Sequence, residues 1–178
     1  MKIKEFGVEV WMNEYETRCQ YNLAETCVES LTFEQLIDIA GKKETILDEL
    51  LPIKLAYGAI EGSDRLRDNI ARLYDQQARS NVLVTHGAIG ANALVYQTLV
   101  TPGDRVVSVV PTYQQHYSIP ESMGAEVKVL KLRADQAFLP DLDELRQMVN
   151  AKTRLIAINN PNNPTGSLMD EHYLGQIV

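Results

Sequence analysis

Three segments of this chain place chemically useful residues directly after short apolar runs. The first is Asn159-Asn160-Pro161-Asn162-Asn163-Pro164-Thr165-Gly166, which follows Arg154-Leu155-Ile156-Ala157-Ile158. Ligands of α/β sheets bind outside the carboxyl ends of strands, so the position alone suggests function. Two prolines fix the backbone and Gly166 permits a tight turn, which presents the Asn163 amide to a ligand in one orientation. The plainer reading is a rigid turn built on asparagines. In the second segment, Gly87-Ala88-Ile89 opens a helix after Val82-Leu83-Val84-Thr85. Backbone N–H groups and the positive end of a helix dipole suit a phosphate there, and Gly87 allows close approach. Small residues also serve tight strand–helix packing, and the segment fits neither GxGxxG nor a P-loop. The third, Pro111-Thr112-Tyr113-Gln114-Gln115-His116-Tyr117, follows Arg105–Val110 and brings an aromatic ring towards the same crevice. A core or turn tyrosine is its alternative.

The elements that must carry these residues are legible from periodicity and caps. Thr32 with Gln35 forms a capping box before Phe33, Leu36, Ile37 and Ala40, and Gly41 stops that helix. Ser63 caps a second helix through Leu66, Ile70, Leu73 and Tyr74. Residues 42–62 between them read as connection. From residue 81, β-rich runs at 82–85, 105–110, 126–130 and 154–158 alternate with helices over about 88–100, 113–123 and 141–150, the last opened by an Asp141/Glu144 capping box. The run Val106 to Val110, broken only by Ser108, predicts a strand covered on both faces, as in a mostly parallel sheet. Asp170–Val178 begins a further amphipathic helix. Four strands and that helix make an incomplete α/β domain.

Bulk properties narrow the function. At 178 residues, 45% hydrophobic and 23% charged, the chain has the make-up of a globular protein able to bury one core. A net charge of -7 argues against nucleic acid, whose phosphates call for clustered cations, and favours small-molecule chemistry. No apolar run approaches the roughly 18 residues of a membrane span, and the first residues lack a signal-peptide stretch, so a cytoplasmic location is expected. Cys19 and Cys27 have no metal or redox spacing and read as reduced thiols. His86 and His116 have no carboxylate or second histidine at ligand spacing, so neither receives a role and no metal is expected.

The motif Asn160-Pro161-Asn162-Asn163-Pro164-Thr165-Gly166 resembles the Asn-Pro-x-Asn-Pro-Thr-Gly signature of the class I/II aminotransferases, pyridoxal 5′-phosphate (PLP) enzymes of fold type I. The segment from Thr85 resembles their Thr-x-Gly-Ala-x-x-Ala-Leu pattern, with a different register of small residues around Gly90 to Ala93. Tyr57-Gly58 with Gly62, Leu66, Arg67, Ile70 and Ala71 is similar to a further segment. The resemblance covers essentially the whole chain. It implies that Asn163 donates to the phenolic oxygen of PLP, that Gly87, Ala88 and Ile89 hold its phosphate and that Tyr113 stacks on its ring. It also implies that Tyr57 reaches the phosphate held by a neighbouring subunit, making the enzyme a homodimer.

The implied fold is a three-layer α/β/α PLP-transferase large domain with a mostly parallel sheet, here its first half (55–178), joined through 41–54 to an N-terminal part of the small domain (1–40). The lysine that forms the Schiff base, an aspartate for the pyridine nitrogen and an arginine for the substrate carboxylate are expected beyond residue 178. Lys128, Lys131 and Lys152 read as surface residues, and a chain without the catalytic lysine is expected to be inactive. The implied reaction moves an amino group between an amino acid and a 2-oxo acid. A PLP-dependent lyase of the same fold is the alternative, either a C–S β-lyase or a capreomycidine synthase-like member, to which Trp11–Tyr15 and Asn22–Thr26 bear some similarity. Trp11–Tyr15 otherwise reads as a packed N-terminal helix. A PLP-sensing regulator is a further alternative, disfavoured by the acidic charge.

Overall fold

A strand of four consecutive buried residues needs cover on both faces, and the computed structural model supplies it around Arg105–Val110. The structure describes residues 2–24 and 27–178. In chain order the elements are α1 (Gly7–Tyr15), α2 (Phe33–Ile39), α3 (Ile46–Leu50), α4 (Asp64–Ala71), α5 (Gly87–Leu99), β1 (Arg105–Val110), α6 (Gln115–Ser122), β2 (Glu126–Lys131), α7 (Leu142–Met148), β3 (Thr153–Ala157) and α8 (Glu171–Gly175). Contacts group them into two units. One holds the residues up to Ala24 together with His86–Val178; the other holds the residues between them, up to Thr85.

The first unit contains the sheet, with order β2-β1-β3 and both pairings parallel. Arg105 faces Glu126 across one ladder and Val106 faces Leu155 across the other, where an irregularity lies between Arg105 and Val106. Successive side chains of a strand point to opposite faces, and β1 uses both. Val107 and Val109 pack with Leu130, Leu132 and Leu145, against Phe138, Met148 and Ile177 on the α7 and α8 side. Val106 packs with Tyr96, Val100 and Ile119 on the α5 and α6 side. Helix layers on both sheet faces, joined by right-sized crossovers, are what consecutive parallel strands require. Asp141 caps α7 by accepting from the amides of Asp143 and Glu144, both at 3.0 Å. Asp170 caps α8 through the amide of Tyr173.

The second unit is helical. Thr32 and Gln35 form the reciprocal capping box of α2, and Ser63 accepts from the Leu66 amide to start α4. Arg67 ties the unit together: its guanidinium donates to the carbonyls of Val82 and Arg79 and pairs with Glu61 at 2.6 Å.

Several expectations need correction. Residues 82–85 are not a strand: the Val84 amide donates to the Glu61 carbonyl at 3.0 Å, and backbone committed to a loop cannot form a ladder. The sheet among the described residues therefore has three strands. The connection over 42–62 contains α3, held by an ion pair between Lys42 and Glu49. The helix expected over 113–123 starts at Gln115, and that over 141–150 closes at Met148. Trp11–Tyr15 is helical but not packed: α1 buries no residue, and Trp11 is half exposed.

Candidate functional site

Three segments of the first unit carry the candidate residues: the start of α5 and the stretches that follow β1 and β3. At the first, α5 begins on Gly87, whose φ of 69° is a left-handed backbone that favours glycine. His86 offers no side-chain cap and the first turn has no acidic residue, which suits an anion. Ala88 and Ile89 follow, both exposed.

At the second, β1 runs into Pro111 and then Tyr113. The Tyr113 ring meets Phe6 edge-on, with centroids 5.7 Å apart, and His116 at 6.5 Å. Burial, with a smaller effect from Glu9, pushes its hydroxyl above the ordinary tyrosine range. Gln114 fixes the approach of the N-terminal segment: its amide group donates to the Glu5 carbonyl at 2.8 Å and accepts from the Gly7 amide at 3.1 Å.

At the third, β3 leads into the asparagine-rich loop, which is held by its own amides. Asn160 donates to the Met169 carbonyl and accepts from the Met169 amide, at 3.0 and 2.9 Å. Asn162 is buried and donates to the Pro111 carbonyl at 3.1 Å and to Thr165 Oγ1 at 2.9 Å. Asn163 is exposed; its backbone amide is held by Asn159 Oδ1 at 2.7 Å. Among the described residues no side-chain hydrogen bond engages its carboxamide, so that group is available to a ligand. The peptide bonds before Pro111, Pro161 and Pro164 are cis.

Two buried amides join the three segments. Asn162 links the third to the second through Pro111, and Gln115 links the second to the first by donating to the Ile89 carbonyl at 2.7 Å. Thus Gly87, Ala88, Ile89, Tyr113 and Asn163 sit on segments of one unit tied to one another by hydrogen bonds. Tyr57 belongs to the second unit and is fully exposed.

His116, given no role from the sequence, lines a cavity of about 170 Å³ with Asn92, Val95, Tyr96 and Leu155–Ile158. Its Nδ1 lies 2.9 Å from the Tyr96 hydroxyl. Burial lowers its proton affinity, and burial pushes Tyr96 up to about 12. Both are therefore neutral near pH 7, and the hydroxyl also lies 3.4 Å from the His116 carbonyl, to which it can donate. The sequence carried no signal for the pairing, since Tyr96 lies in α5 and His116 in α6. A larger hollow of about 670 Å³ lies over α8, but it is lined only by exposed residues such as Asp170 and His172 and holds none of this chemistry.

Two parallel strands that lead into an aromatic ring and an exposed carboxamide, tied by hydrogen bonds to a helix start that suits a phosphate, define an α/β cofactor-binding protein. More narrowly, residues 34–178 match the model of the family described as aminotransferase class I and II, and the chain belongs to that family. A PLP-dependent aminotransferase from Streptococcus suis has the same fold over 100% of this chain, at 44% identity and a TM-score of 0.95, with 48% of its own length covered. Capreomycidine synthase of Streptomyces vinaceus is 32% identical over 92% of this chain and 42% of its own length. An aspartate aminotransferase of Sulfurisphaera tokodaii is 30% identical over 78% of this chain and 35% of its own. The chain thus spans less than half the length of these relatives.

Proposed function

We propose that this chain contributes the first half of a PLP-dependent aminotransferase that moves an amino group between an amino acid and a 2-oxo acid. The observation that carries the reading is the free Asn163 carboxamide, braced through Asn162 to the loop that holds Tyr113. In this reading Asn163 donates to the phenolic oxygen of PLP, Tyr113 covers the ring, and the amides of Gly87, Ala88 and Ile89 receive the phosphate at the start of α5. The residues fit the group: an unpaired donor, an aromatic face and a helix start without acidic residues match its three polar and apolar parts. PLP, when bound, supplies the electron sink for breaking a bond at the substrate α-carbon.

The lysine, aspartate and arginine that the reaction needs belong, in this proposal, to polypeptide corresponding to the uncovered half of the relatives. Alone, the 178 residues are then inactive. Residues 55–178 would form part of the large domain and 1–40 part of the small one, with 41–54 between them. The complete enzyme would work as a cytoplasmic homodimer in which Tyr57 serves the partner's cofactor phosphate.

Near-ultraviolet and visible spectra with PLP, followed by borohydride reduction, test this. The complete enzyme is expected to take up PLP and retain it covalently after reduction, and the 178-residue chain is expected to yield no reduced adduct. Absence of PLP uptake by the complete enzyme would overturn the cofactor assignment. A reduced adduct on Lys128, Lys131 or Lys152 would overturn the placement of the lysine.

A second reading, a lyase or cyclase on the same cradle, is supported by the similarity to capreomycidine synthase over 92% of the chain. Stoichiometric formation of a 2-oxo acid from the amino donor favours transamination; loss of a β- or γ-substituent without it favours the second reading.

A further inference from the structure

Gln115 is wholly buried, and the chemistry proposed above makes no use of it. A carboxamide withdrawn from water is costly unless its donor and acceptor are both paired. Here both are, and both partners lie in the first turns of α5. Nε2 donates to the Ile89 carbonyl at 2.7 Å, and Oε1 accepts from Asn92 Nδ2 at 3.0 Å. A helical carbonyl has a second lone pair beyond the one used within the helix, and Gln115 occupies it at residue 89. The side chain therefore grips one turn of α5 at two points from the neighbouring segment, two residues after Tyr113.

We infer that Gln115 is a positioning residue for anion binding at Gly87–Ile89, setting where that turn stands relative to Tyr113. The inference rests on the proposed PLP reading. An anion at a helix start is held by amides that converge on it, so affinity depends on the orientation of the turn. Gly87 itself has a permissive backbone, and the first turn lacks a side-chain cap at His86. Gln115 reaches that turn from outside the helix and, being buried with both its polar ends paired, holds it firmly.

The test compares PLP with pyridoxal, which carries the same ring without the phosphate, on the complete enzyme and two variants. Gln115→Met keeps length and volume but removes the hydrogen bonds. Asn92→Ala removes the Gln115 partner at a half-exposed helical position, where alanine favours the helix. Gln115→Met is expected to weaken PLP binding roughly 10-fold, the scale of one hydrogen bond to a charged-ligand site, with pyridoxal affinity changed less than about 2-fold. Asn92→Ala is expected to produce a smaller loss in the same sense.

Equal losses for both ligands, or no loss, would overturn the inference. If circular dichroism shows Gln115→Met unfolded, Asn92→Ala and amide hydrogen exchange over residues 88–92 decide the matter: unchanged exchange and unchanged ligand preference refute the brace. A wild type that binds neither ligand removes the cofactor reading and the brace with it. A wild type that prefers PLP, with variants that keep the same preference, removes the brace alone.

Discussion

Asn163 and Asn162 are adjacent asparagines with opposite fates. Asn163 is exposed with a free carboxamide, whereas Asn162 is buried and spends its donors on Pro111 and Thr165. Asn163→Ala should leave stability within about 0.5 kcal/mol of wild type, as exposed substitutions do. On the proposed reading it should weaken PLP binding roughly 10-fold or more, the loss expected for a hydrogen bond to an ionised oxygen, as equilibrium titration would register. Tyr96 and His116 make a pH-dependent pair. Burial holds the His116 proton affinity below the ordinary 6.5, so the unfolded chain takes up the proton first as pH falls. Its contribution is full above about pH 6.5 and is lost as pH drops through the folded value. Tyr96 acts at the other end: burial raises it to about 12, so stability is full below pH 10 and is lost between pH 10 and 12. Urea melts across pH 5–8 should show a shallower acid loss in His116→Gln than in wild type; parallel curves would refute the assignment. None of this was readable from His116 in the sequence, because burial is a property of what packs over a residue. The turn that carries Asn162 and Asn163 was readable because prolines, glycine and spacing are local.

Elements divide in the same way. The boundaries of β1, the capping box of α2 and the Asp141 cap of α7 follow from local pattern, and the structure reproduces them. Residues 82–85 have an equally good strand composition, yet β structure needs a partner edge, and the Val84 amide is spent on Glu61. The helix α3 is five residues long without a side-chain cap, too short for periodicity to reveal. Asp141→Ala should destabilise the fold by freeing two amides of α7. Those same amides, with Gln136 and Arg133, hold the Asp141 carboxyl below its ordinary range, so this contribution is present above about pH 3.8 and is lost on acidification. Melts at pH 7 and pH 3 should therefore differ more for wild type than for Asp141→Ala. Gly62→Ala should be the harsher change. Gly62 has a φ of 98°, and an added Cβ would lie 2.5 Å from Val84 Cγ2, so strain and overlap combine. A loss of about 1–3 kcal/mol is expected from denaturant titration.

Across the whole molecule, burial is unevenly shared. The described core lies in the unit that contains the sheet, while Ala71 is the one buried residue described in the other unit. Leu55, Tyr57 and Ile60 in that second unit are almost wholly exposed. Opening free energy scales with local burial, so amide exchange should be fastest over residues 27–85 and slowest along β1. Comparable protection of both regions in the isolated chain would contradict the burial pattern. In the complete enzyme proposed above, exchange over 27–85 should be selectively slower. The order β2-β1-β3 also bears on how the chain is made. The central strand leaves the ribosome first, and β3 ends some 50 residues later. At about 5–20 residues per second, β1 waits roughly 3–10 s for its second neighbour. During that interval one edge of β1 presents unpaired backbone groups beside the apolar Val106, Val107 and Val109, so slower synthesis or poorer chaperone access through this stretch should lower the yield of native protein.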